Sequence, residues 1–320
     1  MSRIDIKLLM GLLLFVLVSC TKEPPPTTTE QPIPVVVRAA VMASKSASDD
    51  DIETLRLVVF RIADGALIYN KKQAGSQPFV FQTLSGQVRM VMVANELLAW
   101  NLDNVRTPAD FETKVFDKET VSTLAPPLTM YANVVNMISA TTRQFSIELE
   151  RTHAKVTVNI TCNFATVGKS IKLYSLGVEI LPVESYLVAK TYNGSLGYFY
   201  SANRTVDGSA GNVIYSANGL TTKPGGIVFY VPEKKVTNTL NHTYLRLAAR
   251  TNEKPDNIFS YRIVLGDGMG RLCGSNPVAF SSLTPADLCL TRNSHYIVSI
   301  TINTLNPTPI LAVQSMVAQQ

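Results

Sequence analysis

The sequence predicts an all-β protein of two tandem antiparallel β-sandwiches with a few short helices. Three observations carry this. Strictly alternating runs recur along the chain, among them Phe145 to Glu150, Lys155 to Ile160 and Tyr296 to Asn303, each with one apolar face spaced by two. Turn chemistry separates the runs, as at Ala63-Asp64-Gly65-Ala66. Finally, roughly 280 residues follow Arg38, more than one sandwich of ordinary size needs.

The first segment, residues 1–19, reads as a lipoprotein signal peptide. Arg3 and Lys7 precede an apolar run from Leu8 to Val18, which ends in Leu17-Val18-Ser19-Cys20. Eleven apolar residues are too few to cross a bilayer as a helix. Cleavage before Cys20 would free a thiol and an amine for acylation, and several chains on one residue hold a protein on a membrane far better than one. Thr21, where an aspartate would be an inner-membrane signal, points to the outer membrane. Residues 20–38 are rich in Pro and Thr, a composition that stays extended and solvated, so they read as a tether. Val35-Val36-Val37 is β-prone, and Arg38 before Ala39 and Ala40 is a good protease site in an exposed tether. An ordinary arginine at a strand end fits the same spacing.

Residues 39–162 form the first predicted sandwich. Leu55 to Phe60 and Leu67 to Tyr69 flank the Asp64-Gly65 turn as a hairpin. Val88 to Asn95 is nearly all apolar, which suits a core strand. Thr107-Pro108-Ala109-Asp110 predicts an N-cap with proline at the first helical position and a short helix to about Lys118. Alternation lapses at Cys162 to Gly168, and residues 163–320 form the second sandwich. Its strands are expected at Ile171 to Leu181, Gly226 to Val231, Thr243 to Ala248, Ser260 to Leu265 and Tyr296 to Asn303. The stretch from Tyr192 to Thr222, rich in Asn, Gly, Ser and Tyr, reads as a surface excursion. Thr284-Pro285-Ala286-Asp287 echoes the earlier helix start. Ile310 to Ala318 is a last β-prone segment, expected to be held off from its own domain by Pro307 and Pro309, with Leu311, Val313 and Val317 on one face and Ile310, Ala312 and Met316 on the other; a final strand packed on its own sheet is the alternative.

The residues carry no sign of catalysis, cofactor or metal. His153, His242 and His295 are isolated, and a lone histidine at a strand edge is usually structural. Neither a nucleophile elbow, a zinc-protease motif nor a P-loop occurs. Asp49-Asp50-Asp51 lacks the glycine and distal glutamate of a calcium loop and reads as a solvated charge cluster. A net charge of +5 is spread without a basic run, so nucleic acid is not an expected partner. Besides Cys20 there are Cys162, Cys273 and Cys289, without metal-ligand spacing. In an exported protein, Cys273 and Cys289 could close a loop of sixteen residues, contributing about 3 kcal/mol in a chain-entropy view.

Four stretches, in order along the chain, resemble one family. Gln87 to Asn95 ends in Ala-Asn; Leu149-Glu150-Arg151-Thr152-His153-Ala154-Lys155-Val156 is a basic strand entrance; Phe229 to Glu233 is a third motif; Thr291-Arg292-Asn293-Ser294-His295-Tyr296 opens a long strand. With the lipobox they resemble the fimbrillins, subunits of Bacteroidales type V pili. The resemblance implies transthyretin-like sandwiches and a cell-surface, outer-membrane location, with other fimbrial subunits as partners. It also implies a history: lipidation at Cys20, cleavage of a propeptide between Arg38 and Ala39 by an arginine-specific protease, and polymerisation by donor-strand exchange. The donor it implies is the terminal strand, with Ile310, Leu311, Val313, Met316 and Val317. Shaft subunits of that family carry a longer tail, usually with a tryptophan, whereas the only tryptophan here is Trp100. The alternative from a different class is a surface lipoprotein that binds a glycan or host ligand through residues 192–222 without polymerising.

Overall fold

The structure, a computed structural model, describes residues 31–41, 47–117, 120, 124–162, 170–182, 184–192, 199–204, 214–216, 226–237, 242–251, 259–269, 280–304 and 310–318. In chain order its strands are β1 (Ile33–Val41), β2 (Thr54–Arg61), β3 (Leu67–Ala74), β4 (Phe79–Thr83), β5 (Gly86–Ala94), β6 (Val115–Phe116), β7 (Met130–Ile138), β8 (Gln144–Arg151), β9 (His153–Cys162) and β10 (Ser170–Pro182). There follow β11 (Ser185–Tyr186), β12 (Thr191–Tyr192), β13 (Phe199–Arg204), β14 (Ile214–Ser216), β15 (Ile227–Pro232), β16 (Lys235–Val236), β17 (Tyr244–Thr251), β18 (Phe259–Val264), β19 (His295–Thr304) and β20 (Ile310–Ala318). The chain is nearly all β, in a sandwich-like or barrel-like arrangement.

A strand buried on one face alternates, but β2 and β5 are apolar almost throughout because both of their faces are covered. Leu55, Leu57, Met90 and Met92 fill a core enclosed by the first sheet. Val58, Phe60, Val91 and Val93 point the opposite way and meet Trp100, Leu102, Phe111 and Phe116 from the segment that follows β5. The near-continuous run at Val88 to Asn95 is therefore a central strand, as its composition predicts.

The first sheet runs β3-β2-β5-β7-β8-β1-β4. Only two residue pairs, Met130 with Arg151 and Tyr131 with Glu150, join β7 to β8, so the sheet folds over there. Its two ends then meet: the Tyr69 ring of β3 stacks on Phe81 of β4 at 4.9 Å and sits edge-on to Phe79 at 6.2 Å. The Asp64-Gly65 hairpin forms as predicted, with Gly65 at φ 71°. The predicted helix after Thr107 is a 3-10 helix, Pro108–Thr113. The Asp110 carboxylate accepts the Thr107 and Arg106 N–H groups at 2.8 and 2.7 Å. The echo at Thr284 is a real structural repeat, since Asp287 accepts the Thr284 N–H at 2.8 Å ahead of a second short 3-10 helix. That turn packs so closely that a Cβ on Gly268 would stand 2.3 Å from the Asp287 side chain.

Two expectations are corrected by the register. The strands are not all antiparallel: β1 runs parallel to β8, and β9 parallel to β19. The change of sheet is also not at Cys162 to Gly168. β9 lies before that lapse, yet it pairs with β15 and β19 in a sheet ordered β15-β9-β19-β20. The crossing point is Thr152, between β8 and β9. Alternation reports that a strand is half buried and says nothing of its partner, which explains both differences. A third sheet, β13-β10-β17-β18 with β14 beside β10, faces β15-β9-β19-β20 across a core that includes Val156, Val178, Leu247 and Val298. That core is continuous with Trp100 and Phe116, so apolar packing runs unbroken from the second face of β2 and β5 into the C-terminal sheets.

Asn95 closes β5 and ties three segments together. It sits at φ 53°, a left-handed conformation that asparagine tolerates better than most residues. Its Oδ1 accepts the Glu53 and Thr54 N–H groups at 2.9 and 3.3 Å, and its Nδ2 donates to the carbonyls of Asp51 and Leu128 at 2.8 and 2.9 Å. Replacing Asn95 by Ala leaves four backbone groups without that partner and keeps the strained φ, so a loss of about 2 kcal/mol is expected in urea denaturation.

Candidate assembly interface

The site that could change partners is β1. Its alternation, Ile33, Val35, Val37, Ala39 and Val41 on one side, places Val35 and Val37 fully in the first core. On one flank it pairs antiparallel with β4, from Ile33 opposite Thr83 to Val37 opposite Phe79; on the other it runs parallel to β8, from Val36 beside Gln144 to Val41 beside Leu149. The stretch from Ile33 is therefore strand and not tether. Pro34, which has no N–H to give, is accommodated near the strand start.

Arg38 is exposed and stands one residue past the end of pairing with β4. Ala39 is partly covered, and both residues remain paired with Ser146 and Ile147 of β8. The Arg38–Ala39 bond thus lies inside a strand with one flank open. Two buried valines hold the segment before it, each worth about 1.5–3 kcal/mol of burial. Without that segment, Phe79 and Phe81 on β4 and Phe145 and Ile147 on β8 would border an open slot.

The C-terminal segment is not held off from its own sheet, contrary to the expectation drawn from Pro307 and Pro309. β20 pairs antiparallel with β19 along its length, from Ala318 opposite His295 to Ile310 opposite Thr304. Ile310, Leu311, Val313, Met316 and Val317 all lie on this edge strand, in a different sheet from β1. The other flank of β20 has no strand beside it among the described residues.

A buried polar knot, unforeseen from the order of the residues, joins the two sheets. Asp49, expected in solvent, is 1% exposed. Its carboxylate takes the Lys155 ammonium at 2.5 Å and the Tyr230 hydroxyl at 2.6 Å, with the Arg151 guanidinium at 3.8 Å. A buried carboxylate needs such partners to offset the hydration it has lost. Asn293, at φ 60°, accepts the Arg151 Nε–H at 3.1 Å and donates its own N–H to the His153 carbonyl at 3.1 Å. Arg292 binds Glu233 through Nε and Nη2 at 2.9 and 2.8 Å and reaches the carbonyls of Leu187 and Tyr186. The buried Tyr296 hydroxyl donates to Asp267 at 2.6 Å. The basic entrance at Arg151, the stretch ending in Glu233 and the Arg292-Asn293 entrance are therefore three parts of one contact set.

His153 is buried and structural. The Thr152 hydroxyl donates to the Thr129 carbonyl at 3.0 Å, so the His153 Nδ1–H is left to donate to Thr152 Oγ1 at 2.8 Å. Burial, with the Arg292 charge adding to it, pushes its pKa down to about 3. His295 is also lowered by burial and bonds Thr157 at 2.9 Å. Lys234 is fully buried, its pKa pushed down to about 7 by burial, and its ammonium donates to the Ile180 carbonyl at 2.7 Å. Cys289 is a free thiol that donates to the Pro285 carbonyl at 3.4 Å, and burial raises its pKa. Cys20 and Cys273 lie outside the described residues, as does most of 192–222.

Neither a protein-family model nor a curated protein matches the chain. Its fold is shared with solved fimbrial proteins. The tip fimbrial protein Mfa3 of Porphyromonas gingivalis, truncated at its C terminus, is similar at 17% identity with a TM-score of 0.62, over 91% of this chain and 100% of that one. A fimbrilin, FimA, of Porphyromonas gingivalis W83 is similar at 16% identity with a TM-score of 0.57, over 90% and 97%. A fimbrial assembly protein of Parabacteroides distasonis is similar at 12% identity with a TM-score of 0.51, over 90% and 99%.

The His153 geometry has a pH consequence. Its folded pKa lies far below the usual 6.5, so the unfolded chain takes up a proton that the folded one refuses. Stability from this residue is complete above about pH 6.5 and is lost as pH falls towards 3, by up to about 1.4 kcal/mol per pH unit. Urea midpoints measured from about pH 6 to pH 4 should fall less steeply in His153→Phe than in the native chain, by one proton's worth.

Proposed function

We propose that this chain, built on the fold of Bacteroidales fimbrial proteins, is a structural subunit of a cell-surface fimbria that supports adhesion. It is exported as a lipoprotein anchored through Cys20 and cut after Arg38, and it polymerises by donor-strand exchange with other fimbrial subunits. The observation that carries the reading is the placement of β1. A strand that fills the core of its own sheet is joined to the body of the chain through an exposed arginine at its unpaired flank. A cut there leaves Ile33 to Arg38 held without a covalent link. Its departure would expose unpaired backbone on β4 and β8 with an apolar floor, a surface that invites a strand from another molecule. β20 supports the role of donor. It is an edge strand without a charge in its nine residues, joined to one neighbour only among the described residues, so its transfer breaks one ladder and forms two.

Three variants separate the steps. Cys20→Ala should lose metabolic acyl labelling and membrane partition, and unchanged labelling would remove the lipoprotein route. Arg38→Ala should give a folded, lipidated monomer that neither matures nor assembles. Deleting residues 310–320 should leave a subunit that accepts a strand and cannot give one, so it caps polymers in electron micrographs. Long polymers from that deletion would exclude β20 as donor. If the full-length chain itself only caps, it is a terminal subunit and not part of the shaft.

A further inference from the structure

Among the described residues the exposed large apolar side chains all come from the first half of the chain, and Ile62, Leu84, Val135 and Met137 gather at one end of the first sheet. Ile62, 40% exposed, follows β2 and gives its N–H to the Gln87 carbonyl at 3.0 Å, while Gln87 stands opposite Met137, 53% exposed. Ile62, Gln87 and Met137 thus form a row across the start of β5. Val135 lies on the same face of β7, opposite Arg89. The segment after β5 covers this face at Phe60, Val91 and Val93 and stops short of the row. A single exposed apolar residue is ordinary, whereas a group of them marks a contact surface.

This is the end at which the slot of β1 opens. Ile33 pairs with Thr83, the residue before Leu84. The strands that border the slot are joined here to the strands of the row: β4 to β5 through Leu84 and Ser85, and β8 to β7 through a turn in which the Ser139 N–H donates to the Thr142 carbonyl at 3.0 Å. The opposite end is shut. A cut at Arg38 leaves Ala39 to Val41 in place, paired with Ile147 to Leu149. A few residues on, Asp49 is bound by Arg151, Lys155 and Tyr230. A strand that enters the slot therefore comes from a body standing at the Ile33 end. That body has little slack. Residues 305–309 join β19 to β20, and from Thr304 to Ile310 the chain reaches about 20 Å at full extension. This is less than the width of a folded domain.

Resting on the strand exchange proposed above, we propose that Ile62, Leu84, Val135 and Met137 form a docking surface for a second copy of this chain, the copy whose β20 fills the slot. The short link brings the end of that copy's β19 against this rim, which is what selects the occupant. Strand exchange alone would leave the two bodies joined by a hinge. Apolar contact at the rim holds one body upright on the other and adds to the affinity of the exchanged strand. A small ligand does not fit the site, because the row lies on an open pleated face and not in a cavity.

The test fixes the chain, cut after Arg38, sparsely on a surface and offers it two donors in turn. One is a peptide of residues 310–320; the other is the uncut chain, whose own slot is filled by β1. The native acceptor should bind both. Ile62→Glu with Met137→Glu should take the peptide as the native chain does, which also shows that the variant is folded. It should bind the uncut chain about tenfold or more weakly, because two apolar contacts are lost. The control is Leu98→Glu, an exposed apolar residue beyond the other end of β5, which should change neither affinity by more than about twofold. The inference is overturned if the rim variant holds the uncut chain as tightly as the native acceptor, if the control loses as much, or if the native acceptor takes the peptide and not the uncut chain. A native acceptor that does not take the peptide is a different result: it removes strand exchange itself, and the docking surface with it.

Discussion

Thr152 is the hinge on which the structure depends. At this buried residue the chain leaves the first sheet at Arg151 and enters the second at His153. A crossing between sheets takes backbone groups out of both ladders, and each must be satisfied without water. The solution here is local and polar. Thr129 accepts the Thr152 N–H, Asn293 takes the Arg151 side chain and gives its own N–H to His153, and Lys155 N–H reaches the Ser294 carbonyl. Because Asn293 and Ser294 immediately precede β19, the same bonds set the start of β9 and of β19 beside each other. That fixes the parallel register of the second sheet from its first residue pair, His295 with Lys155.

Asp49 extends this knot back to the beginning of the chain. It belongs to the short connection between β1 and β2, yet it is bound by side chains of Arg151, Lys155 and Tyr230. Movement at the N-terminal strand is therefore met, a few residues on, by a fixed point in the second sheet. Loss of β1, as the proposed exchange requires, would leave the bonds that hold the crossing at Thr152 in place. Arg56 does the same for the other face of β2. Its guanidinium is shared between Glu96, Asn70 and Asp103 and holds the segment after β5 against the sheet.

Much of the fold was legible in the sequence because alternation and turn chemistry are local. The Asp64-Gly65 hairpin, the double-sided strand at Val88, the proline-started turn at Thr107 and its echo at Thr284 are all where the residues place them. What the sequence hid is partnership. Period two does not say that β9 belongs with β19, nor that Ile33 to Val41 is built into a sheet and not a solvated tether. Proline and threonine before Ile33 extended the tether too far on composition alone. The polar knot was hidden for the same reason: Asp49, Arg151, Tyr230 and Asn293 are distant in sequence, and a run of three aspartates looks solvated until its partners are known. The motifs that raised the fimbrillin resemblance mark these contacts, Asn95 at one pin and Arg151, Glu233 and Arg292 at the others.

The parallel pairing of β9 with β19 sets the order in which the chain can acquire its shape during synthesis. These two strands are joined across about 140 positions. Until β19 exists, β9 has an open flank, the core around Val156 and Val158 lacks a wall, and Asn293 is not there to fasten the crossing at Arg151. Contacts of such sequence separation form slowly in any case. The first sheet draws all its strands from residues before Thr152, whereas the C-terminal sheet closes only when β9 and β19 meet across that separation.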